Sequence, residues 1–564
     1  MAGGADVSGW ITLGVLLGLC VLSALWTLVM ANGLKVRGHH ILITGATKGL
    51  GLAIAKRYAR HADITDAADM DRVVCEANEH HGRVTDEIVC AAETSPNALF
   101  AEVDAAAMHA VMNLNYFGVV NSLKAALPAM IKKGVQGRIV LVSSVEALAP
   151  TVGSTLFTGS KFALRGLAET LRNEVKLYGM KVCVFYPGSY TSPFPRKTTV
   201  NETACLLTDM EKQADALMNG LRAGYFTITC SPSDQRNQMT STWWMWPAGY
   251  VALCALSYIF TKLRAPGFNV DGKHVFITGG SSGLGLSLAT KLAKAGAKIS
   301  IVARSIDKLE AAKKEIEAVG KNPVFTHSTD VADFESVKSA VAAANAFHQR
   351  PTDTVVCCAG LATPGYFVEQ DVSVFRKMMD LNYFGVVHTI KAALPAMIEA
   401  QNKGDVVIVA SGCSMLSFIG YTQYASSKYA LRGLAEALRN ELKLYNIRVS
   451  VFYPGNIDSP GFVEENKIKP DETKEIEGTS KPESPDAVAD SLISGLRDGQ
   501  FSITNDPLIY LLRQISNGVA PRHNTPFEVL LFPISVLVQV GFGIYMDLVV
   551  TQSAKKKAKK EKAN

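Results

Sequence analysis

In the second half of the chain, short apolar runs alternate with longer stretches whose apolar residues recur at helical spacing. Lys273 to Thr278 is apolar, β-rich and followed by a glycine-rich turn. Leu284 to Ala295 has helical spacing, Lys298 to Ala303 is a short apolar run, and Ile306 to Val319 is charged and amphipathic. Val324 to Thr326, Thr354 to Cys358 and Asp405 to Ala410 read as further strands. Short apolar runs specify strands and a 3.6-residue period specifies helices. Their alternation predicts βαβ units, and so a parallel sheet covered on both faces with right-handed crossovers. The predicted fold class is α/β, a doubly wound Rossmann-type sheet.

The same pattern occurs twice. Leu114 to Val120 recurs identically at 381–387, Lys124 to Ile131 at 391–398, Ala163 to Glu169 at 430–436, and Val184 to Gly188 at 451–455, each offset by 267 positions. Near the front the offset is 234, where Thr44-Gly45 matches Thr278-Gly279. The first copy therefore lacks 33 residues, the equivalent of about Gly296 to Ser328. Those residues span the second strand, the next helix and the third strand. The first copy is expected to have lost one edge of its sheet, leaving its first strand as an edge. This is a tandem duplication of two Rossmann-type units, the first truncated.

Three stretches are too apolar for that scheme. Trp10 to Ala31 has no charge and is long enough to span a bilayer; basic residues follow it, which predicts a retained anchor with the next unit in the cytosol. Trp243 to Thr261 and Val529 to Met546 are also long enough, but contain Pro247 and Pro533. If both units are cytosolic the middle segment cannot cross once, so re-entrant or interfacial hairpins at the two prolines are expected. A buried helix and loop is the other reading of 529–546. The expected organisation is an anchor at 1–34, a first unit at 35–232, a second apolar segment at 240–264, a second unit at 268–506, a membrane-associated region at 507–551 and a lysine-rich tail at 552–564.

Composition agrees with a globular protein bearing membrane segments: 48% of residues are hydrophobic and 19% charged. The net charge of +6 gathers in a tail of six lysines between Lys555 and Lys562. No basic face with interleaved aromatics occurs in the body, which argues against nucleic-acid binding. The ten cysteines are scattered without a C-x-x-C pair. They read as free thiols in a reducing compartment, with no metal site.

Candidate chemistry lies in the second copy. Thr278 to Gly285 (TGGSSGLG) joins a strand to a helix. Its glycines Gly279, Gly283 and Gly285 let the backbone approach a pyrophosphate, while Ser281 and Ser282 sit where the helix N-terminus offers free N–H groups. Arg304, just past the second strand, stands where NAD-binding folds place an acid. A guanidinium there pairs with a 2′-phosphate, so NADPH is expected, with Lys308 and Ser281 assisting. Taken alone, Arg304 also fits a solvated strand end. Asp330 and Val331, after the third strand, are placed to meet the adenine. Tyr424 and Lys428 are four apart and share one helix face, with Ser411 just past a strand. Ketone reduction needs a proton donor. A neighbouring ammonium is expected to lower the phenol from its usual value near ~10, and a serine hydroxyl can donate to the carbonyl oxygen. Alone, that spacing fits an exposed helix pair better.

The glycine turn, Asn382, Ser411, Tyr424-x-x-x-Lys428 and Pro454-Gly455, in that order over about 230 residues, resemble the short-chain dehydrogenase/reductase family. The resemblance implies a triad of Ser411, Tyr424 and Lys428, with Asn382 supporting a proton relay and Lys428 also holding the nicotinamide ribose. The family's Asn-Asn-Ala-Gly reads Cys357-Cys358-Ala359-Gly360 here, which departs at both asparagines and their side-chain contacts but keeps Gly360. Residues 424–438 and 458–470, with an anchor and an apolar end, look like the 3-ketodihydrosphingosine reductases of that family. That likeness implies NADPH-dependent reduction of a long-chain sphingoid ketone, 3-oxosphinganine, on the cytosolic face of the endoplasmic reticulum. The terminal Lys560-Glu-Lys562-Ala-Asn564 fits a retrieval signal or a solvated tail. Reductases of 3-ketoacyl-CoA, steroids or retinoids are rival readings, as is a non-enzymatic membrane scaffold.

In the first copy Ser144 and Lys161 align with Ser411 and Lys428, but Phe157 stands for Tyr424 and Glu93 for Gly360. Phenylalanine has no proton to give, so this copy is expected to be inert. A missing exon would explain the gap but not these two changes. In this family the helix equivalent to Phe157–Tyr178 belongs to the dimer interface. The first copy is therefore expected to act as a built-in partner, a homodimer being the alternative.

Overall fold

The computed structural model describes residues 41–44, 63–96, 98–188, 210–222, 226–229, 257, 259, 263, 265–401, 403–478, 480–516 and 525–561. The expected anchor Trp10 to Ala31, the first glycine turn past Thr44, nearly all of Trp243 to Thr261, and the last three residues lie outside them.

Two parallel sheets form. In the first unit β1 (Ile41–Thr44), β2 (Glu87–Cys90), β3 (Arg138–Val142), β4 (Lys181–Tyr186) and β5 (Thr227–Thr229) lie in sequence order. In the second unit β6 (His274–Thr278), β7 (Lys298–Ala303), β8 (Phe325–Ser328), β9 (Thr354–Cys357), β10 (Gly404–Val409), β11 (Ile447–Phe452) and β12 (Ser502–Ile503) take the order β12-β11-β10-β9-β6-β7-β8. Every pairing is parallel. The chain leaves β6 toward β7 and β8, then returns to β9 on the other side. That reversal is the switch point where such sheets open a crevice beyond the strand ends. β6 and β9 are buried throughout, as a sheet covered on both faces requires.

Among the described residues the first sheet has no counterparts of β7 and β8, as the 33-residue gap implies. Among the described residues β1 pairs only with β2, and three of its four residues are half-buried.

The units pack through α1 (Thr155–Val175) of the first and an equivalent helix of the second. The second unit opens with α2 (Gly283–Lys294) after β6 and carries α3 (Thr422–Leu442) after β10. A Cβ on Gly166 of α1 would lie 3.0 Å from Tyr429 of α3, and one on Gly433 of α3 would lie 2.7 Å from Phe162 of α1. Each glycine admits an aromatic ring of the other helix. The two contacts are related by the 267-residue offset, so the interface is pseudo-symmetric.

The hairpin expected at Pro533 does not form. α4 (Thr525–Glu561) runs unbroken with Pro533 inside it. The lost backbone bond of one proline is outweighed by a long apolar helical run. Pro128 and Pro395 are tolerated in the same way inside Gly118–Lys132 and Gly385–Glu399. Nor is 529–546 a buried helix and loop. The apolar stretch Leu531–Ser553 is long enough to cross a membrane, and only 19% of its most apolar window is buried. Ile534, Leu537, Val540, Ile544 and Leu548 form an exposed row along it. Val549 and Val550 turn inward against Phe418, Ile419 and Tyr421 of the second unit. Before α4, the helix Pro507–Ser516 packs against the second unit, where the buried Arg513 meets Glu528 at 3.0 Å.

Candidate active site

Beyond the ends of β6, β9, β10 and β11 the sequence places almost every chemically notable residue of the second unit. Gly279 follows β6 with φ +68, in the left-handed region that favours glycine. A Cβ there would lie 2.9 Å from the Ala359 backbone past β9, and one on Gly285 only 2.4 Å from the Gly279 carbonyl. Ser282 precedes α2 in extended conformation without a side-chain cap bond, and Gly283 opens the helix. The result is a tight, side-chain-free turn against the first-turn amides of α2. This cradle fits the pyrophosphate of a dinucleotide.

Arg304 is exposed just past β7, and its carbonyl accepts from the Ser328 hydroxyl at 3.0 Å. Lys308 is exposed on the first turn of Ile306–Glu317. Asp330 is exposed and accepts from the Ala332 amide at 3.0 Å, whereas Val331 is buried against Gly385. These residues share the β7–β8 side of the crevice.

Ser411 lies two residues past β10, and its hydroxyl accepts from the Cys413 amide at 3.2 Å and lies close to the Tyr424 phenol. The Gly412 amide donates to the Pro454 carbonyl at 2.9 Å, and the Gly455 amide to Asn505 Oδ1 at 3.2 Å. The turn after β11 thereby braces the turn after β10. Lys428 lies one helical turn past Tyr424. Its Nζ donates to the Val409 carbonyl at 3.2 Å and lies 5.6 Å from the centre of the Tyr424 ring. Asn382 sits in a π-helical turn, Asp380–Phe384, a distortion that often marks functional sites. Its Oδ1 accepts from the Leu361 amide at 2.9 Å, and its Nδ2 donates to the Leu361 carbonyl at 2.9 Å and Ser427 Oγ at 3.0 Å. Gly360 closes the group: a Cβ there would lie 3.3 Å from Asn382 Oδ1 and 3.4 Å from Lys428 Nζ.

One electrostatic expectation fails. Tyr424 is held well above the ordinary phenol value, chiefly by burial and then by nearby Cys413, Glu465 and Glu477, with the Ser411 hydrogen bond opposing. Burial also pushes Lys428 down, to about 8. Both groups are desolvated, and desolvation disfavours the phenolate and the ammonium alike. The ammonium is turned to a carbonyl rather than to the phenol, so it does not offset that cost.

The first unit preserves the frame and blocks it. Asn115 repeats the bonds of Asn382, pairing with Thr94 and with Ser160. Lys161 donates to the Val142 carbonyl at 3.2 Å, as Lys428 does to Val409. But Glu93, at the position of Gly360, sets its carboxylate 2.6 Å from the fully buried Lys161 Nζ. Phe157 offers only its ring, 5.2 Å from that ammonium.

A second charged cluster escaped the sequence reading. Tyr421, three residues before Tyr424, donates to Glu465 and approaches Glu477 at 3.4 Å. Lys469, fully buried, pairs with Glu465 at 3.2 Å and also with Glu477. The Tyr421 ring is 5.6 Å from the Tyr424 ring. The helices Pro460–Ile468 and Asp471–Glu477 thus cover the approach to the phenol. Its members lie up to 56 residues apart, and no spacing in the sequence connects them.

A model of the short chain dehydrogenase family matches residues 58–203 and 273–469. A "3-ketodihydrosphingosine reductase" of Dictyostelium discoideum is 38% identical over 326 residues, 55% of this chain and 98% of that relative. A "3-dehydrosphinganine reductase" of Danio rerio is 42% identical over 276 residues, 48% of this chain and 82% of that relative. Among solved structures, a short chain dehydrogenase from Mycobacterium paratuberculosis bound to NAD is 26% identical, with a TM-score of 0.37, covering 41% of this chain and 92% of that one.

Proposed function

Because this chain belongs to the short-chain dehydrogenase family, we propose that its second unit reduces 3-oxosphinganine to sphinganine with NADPH. The observation that carries the reading is the meeting of Tyr424, Ser411, Lys428 and Asn382 beside the glycine cradle, within relatives named for this reduction. Gly279, Ser281, Ser282, Gly283 and Gly285 would hold the pyrophosphate, Arg304 and Lys308 the 2′-phosphate, and Asp330 and Val331 the adenine side. Gly360, Lys428 and the Pro454-Gly455 turn would hold the nicotinamide end. Bound NADPH would supply a hydride to the carbonyl carbon. Ser411 donates a hydrogen bond to the carbonyl oxygen as charge develops there. Tyr424, kept protonated by burial, gives that oxygen its proton, and the Lys428 ammonium, 5.6 Å from the ring centre, would have to turn from the Val409 carbonyl to stabilise the phenolate left behind. Asn382, fixed by Leu361, supports the relay that returns the proton.

The first unit is a pseudoenzyme in this reading. It serves as the partner that the second unit would otherwise find in a homodimer. The chain sits on the endoplasmic reticulum membrane with both units in the cytosol, held by Trp10 to Ala31 and by the exposed apolar row of α4, beside the lysines at 555–562. The domain limits follow the sequence reading.

Purified full-length chain, given NADPH and each candidate ketone in turn, tests the assignment. Sphinganine formation from 3-oxosphinganine, at least tenfold faster than reduction of a 3-ketoacyl-CoA, a steroid ketone or retinal, is expected. Preference for one of the others overturns the substrate, and no reduction of any ketone overturns the enzyme.

A further inference from the structure

Two carboxylates are buried at the α1–α3 interface, and the 267-residue offset relates them. Glu174 of the first unit is 3% exposed and Glu441 of the second 2%. Glu174 reaches into the second unit. Its Oε1 accepts from the Gly420 amide at 3.3 Å and the Thr422 hydroxyl at 2.5 Å, and its Oε2 accepts from the Phe367 amide. Glu441 makes the mirror set in the first unit, from the Gly153 amide at 3.1 Å, the Thr155 hydroxyl at 2.5 Å and the Phe100 amide at 2.6 Å. Two lysines repeat the exchange. Lys124 donates to the Phe367 and Gln370 carbonyls, and Lys391 to those of Phe100 and Ala101 at 2.8 and 2.7 Å.

The bonds are alike but the loops they hold are not. Gly420 and Thr422 flank Tyr421 and open α3 two residues before Tyr424. Phe367 belongs to the loop that continues from Gly360 and Leu361 and carries Tyr366. One carboxylate thus ties together the two loops on either side of the phenol. Its twin ties together the loops around Phe157, which has no proton to give. A buried carboxylate accepting three hydrogen bonds is a strong fixture, because any donor left unpaired there costs its full desolvation. Glutamine keeps the shape but replaces one acceptor oxygen with an NH2 that faces donors.

We propose that Glu174, on the inert first unit, is a positioning residue for the second unit's active site, holding the start of α3 and the Phe367 loop so that Tyr424 meets the substrate. The first unit thereby contributes to catalysis without a site of its own. The proposal rests on the reading of Tyr424 as proton donor, and its twin supplies the control.

Glu174→Gln and Glu441→Gln are compared in the full-length chain by melting temperature, by kcat and KM for 3-oxosphinganine and NADPH, and by amide hydrogen exchange. Both are expected to lower the melting temperature by similar amounts. Glu174→Gln is expected to lower kcat at least tenfold with the KM for NADPH unchanged, and to speed exchange across 417–426. Glu441→Gln is expected to stay within twofold of wild type and to speed exchange across 150–159 instead. Equal losses of kcat in the two variants overturn the proposal, as does unchanged exchange across 417–426. Should either glutamine variant fail to fold, Thr422→Val and Thr155→Val make the same comparison at the same carboxylates. If wild type turns over no ketone, the proposed function fails while the exchange measurement still decides whether Glu174 holds this loop.

Discussion

Placing a glutamate at 360 transplants the first unit's lesion into the second. The Cβ of Gly360→Glu would start 3.4 Å from Lys428 Nζ and 3.3 Å from Asn382 Oδ1, tight for any side chain. In the first unit the equivalent carboxylate, on Glu93, reaches the lysine at 2.6 Å. At that separation, with an effective dielectric near 20, the attraction is about 6 kcal/mol before desolvation returns several of them. The pair is then expected to stay closed, as Glu93 and Lys161 do at 2.6 Å, and to keep the ammonium from a ribose or a phenolate. We expect kcat/KM for 3-oxosphinganine to fall at least ~1,000-fold, which corresponds to about 4 kcal/mol of lost transition-state stabilisation. Gly360→Ala adds only the Cβ and is expected to lose less than tenfold. NADPH oxidation is followed by absorbance and NADPH binding by its fluorescence, with the melting temperature as a check on folding. A folded Gly360→Glu variant that keeps more than a tenth of wild-type kcat/KM refutes the argument.

Three further outcomes follow from the same geometry. Lys428 is pushed down to about 8 by burial, so its ammonium is lost as the pH rises through that value. Turnover is then expected to fall above pH ~8, and a rate still flat at pH ~10 would contradict this. Arg304→Asp replaces the 2′-phosphate partner with an anion; the KM for NADPH is expected to rise at least tenfold while that for NADH falls, and unchanged preference would remove Arg304 from the cofactor site. In a chain lacking residues 1–34, Leu537→Glu with Ile544→Glu charges the exposed row of α4, and loss of sedimentation with liposomes is expected while detergent-presented substrate is still reduced. Retained liposome binding would take α4 out of the membrane account.

The second sheet was legible because its strands are short, apolar and bounded by turns. Lys298 to Ala303 matched its strand residue for residue, and Asp405 to Ala410 was displaced by one. The missing edge of the first sheet was legible in the repeat offset alone. Pro533 misled because a breaker was weighed without the helical run around it, although Pro128 and Pro395 lie in runs of the same kind. Ser411, Tyr424 and Lys428 were legible because they carry their chemistry in one short span. The raised phenol was not, since burial is a property of the fold and not of the i, i+4 spacing. Glu93 was seen as a departure from glycine, but its bond to Lys161 needed the π-helical frame that brings the two loops together. Glu174 had no local signal at all, because its partners lie up to 248 residues away.

The central claim is that one scaffold occurs twice and only one copy keeps the proton donor. Its most direct test is sphinganine formation by purified full-length Tyr424→Phe, which gives the second unit the side chain the first already has. The account predicts a loss of at least ~1,000-fold in kcat with NADPH binding preserved. Turnover within tenfold of wild type would mean that the proton comes from elsewhere, and would contradict the account.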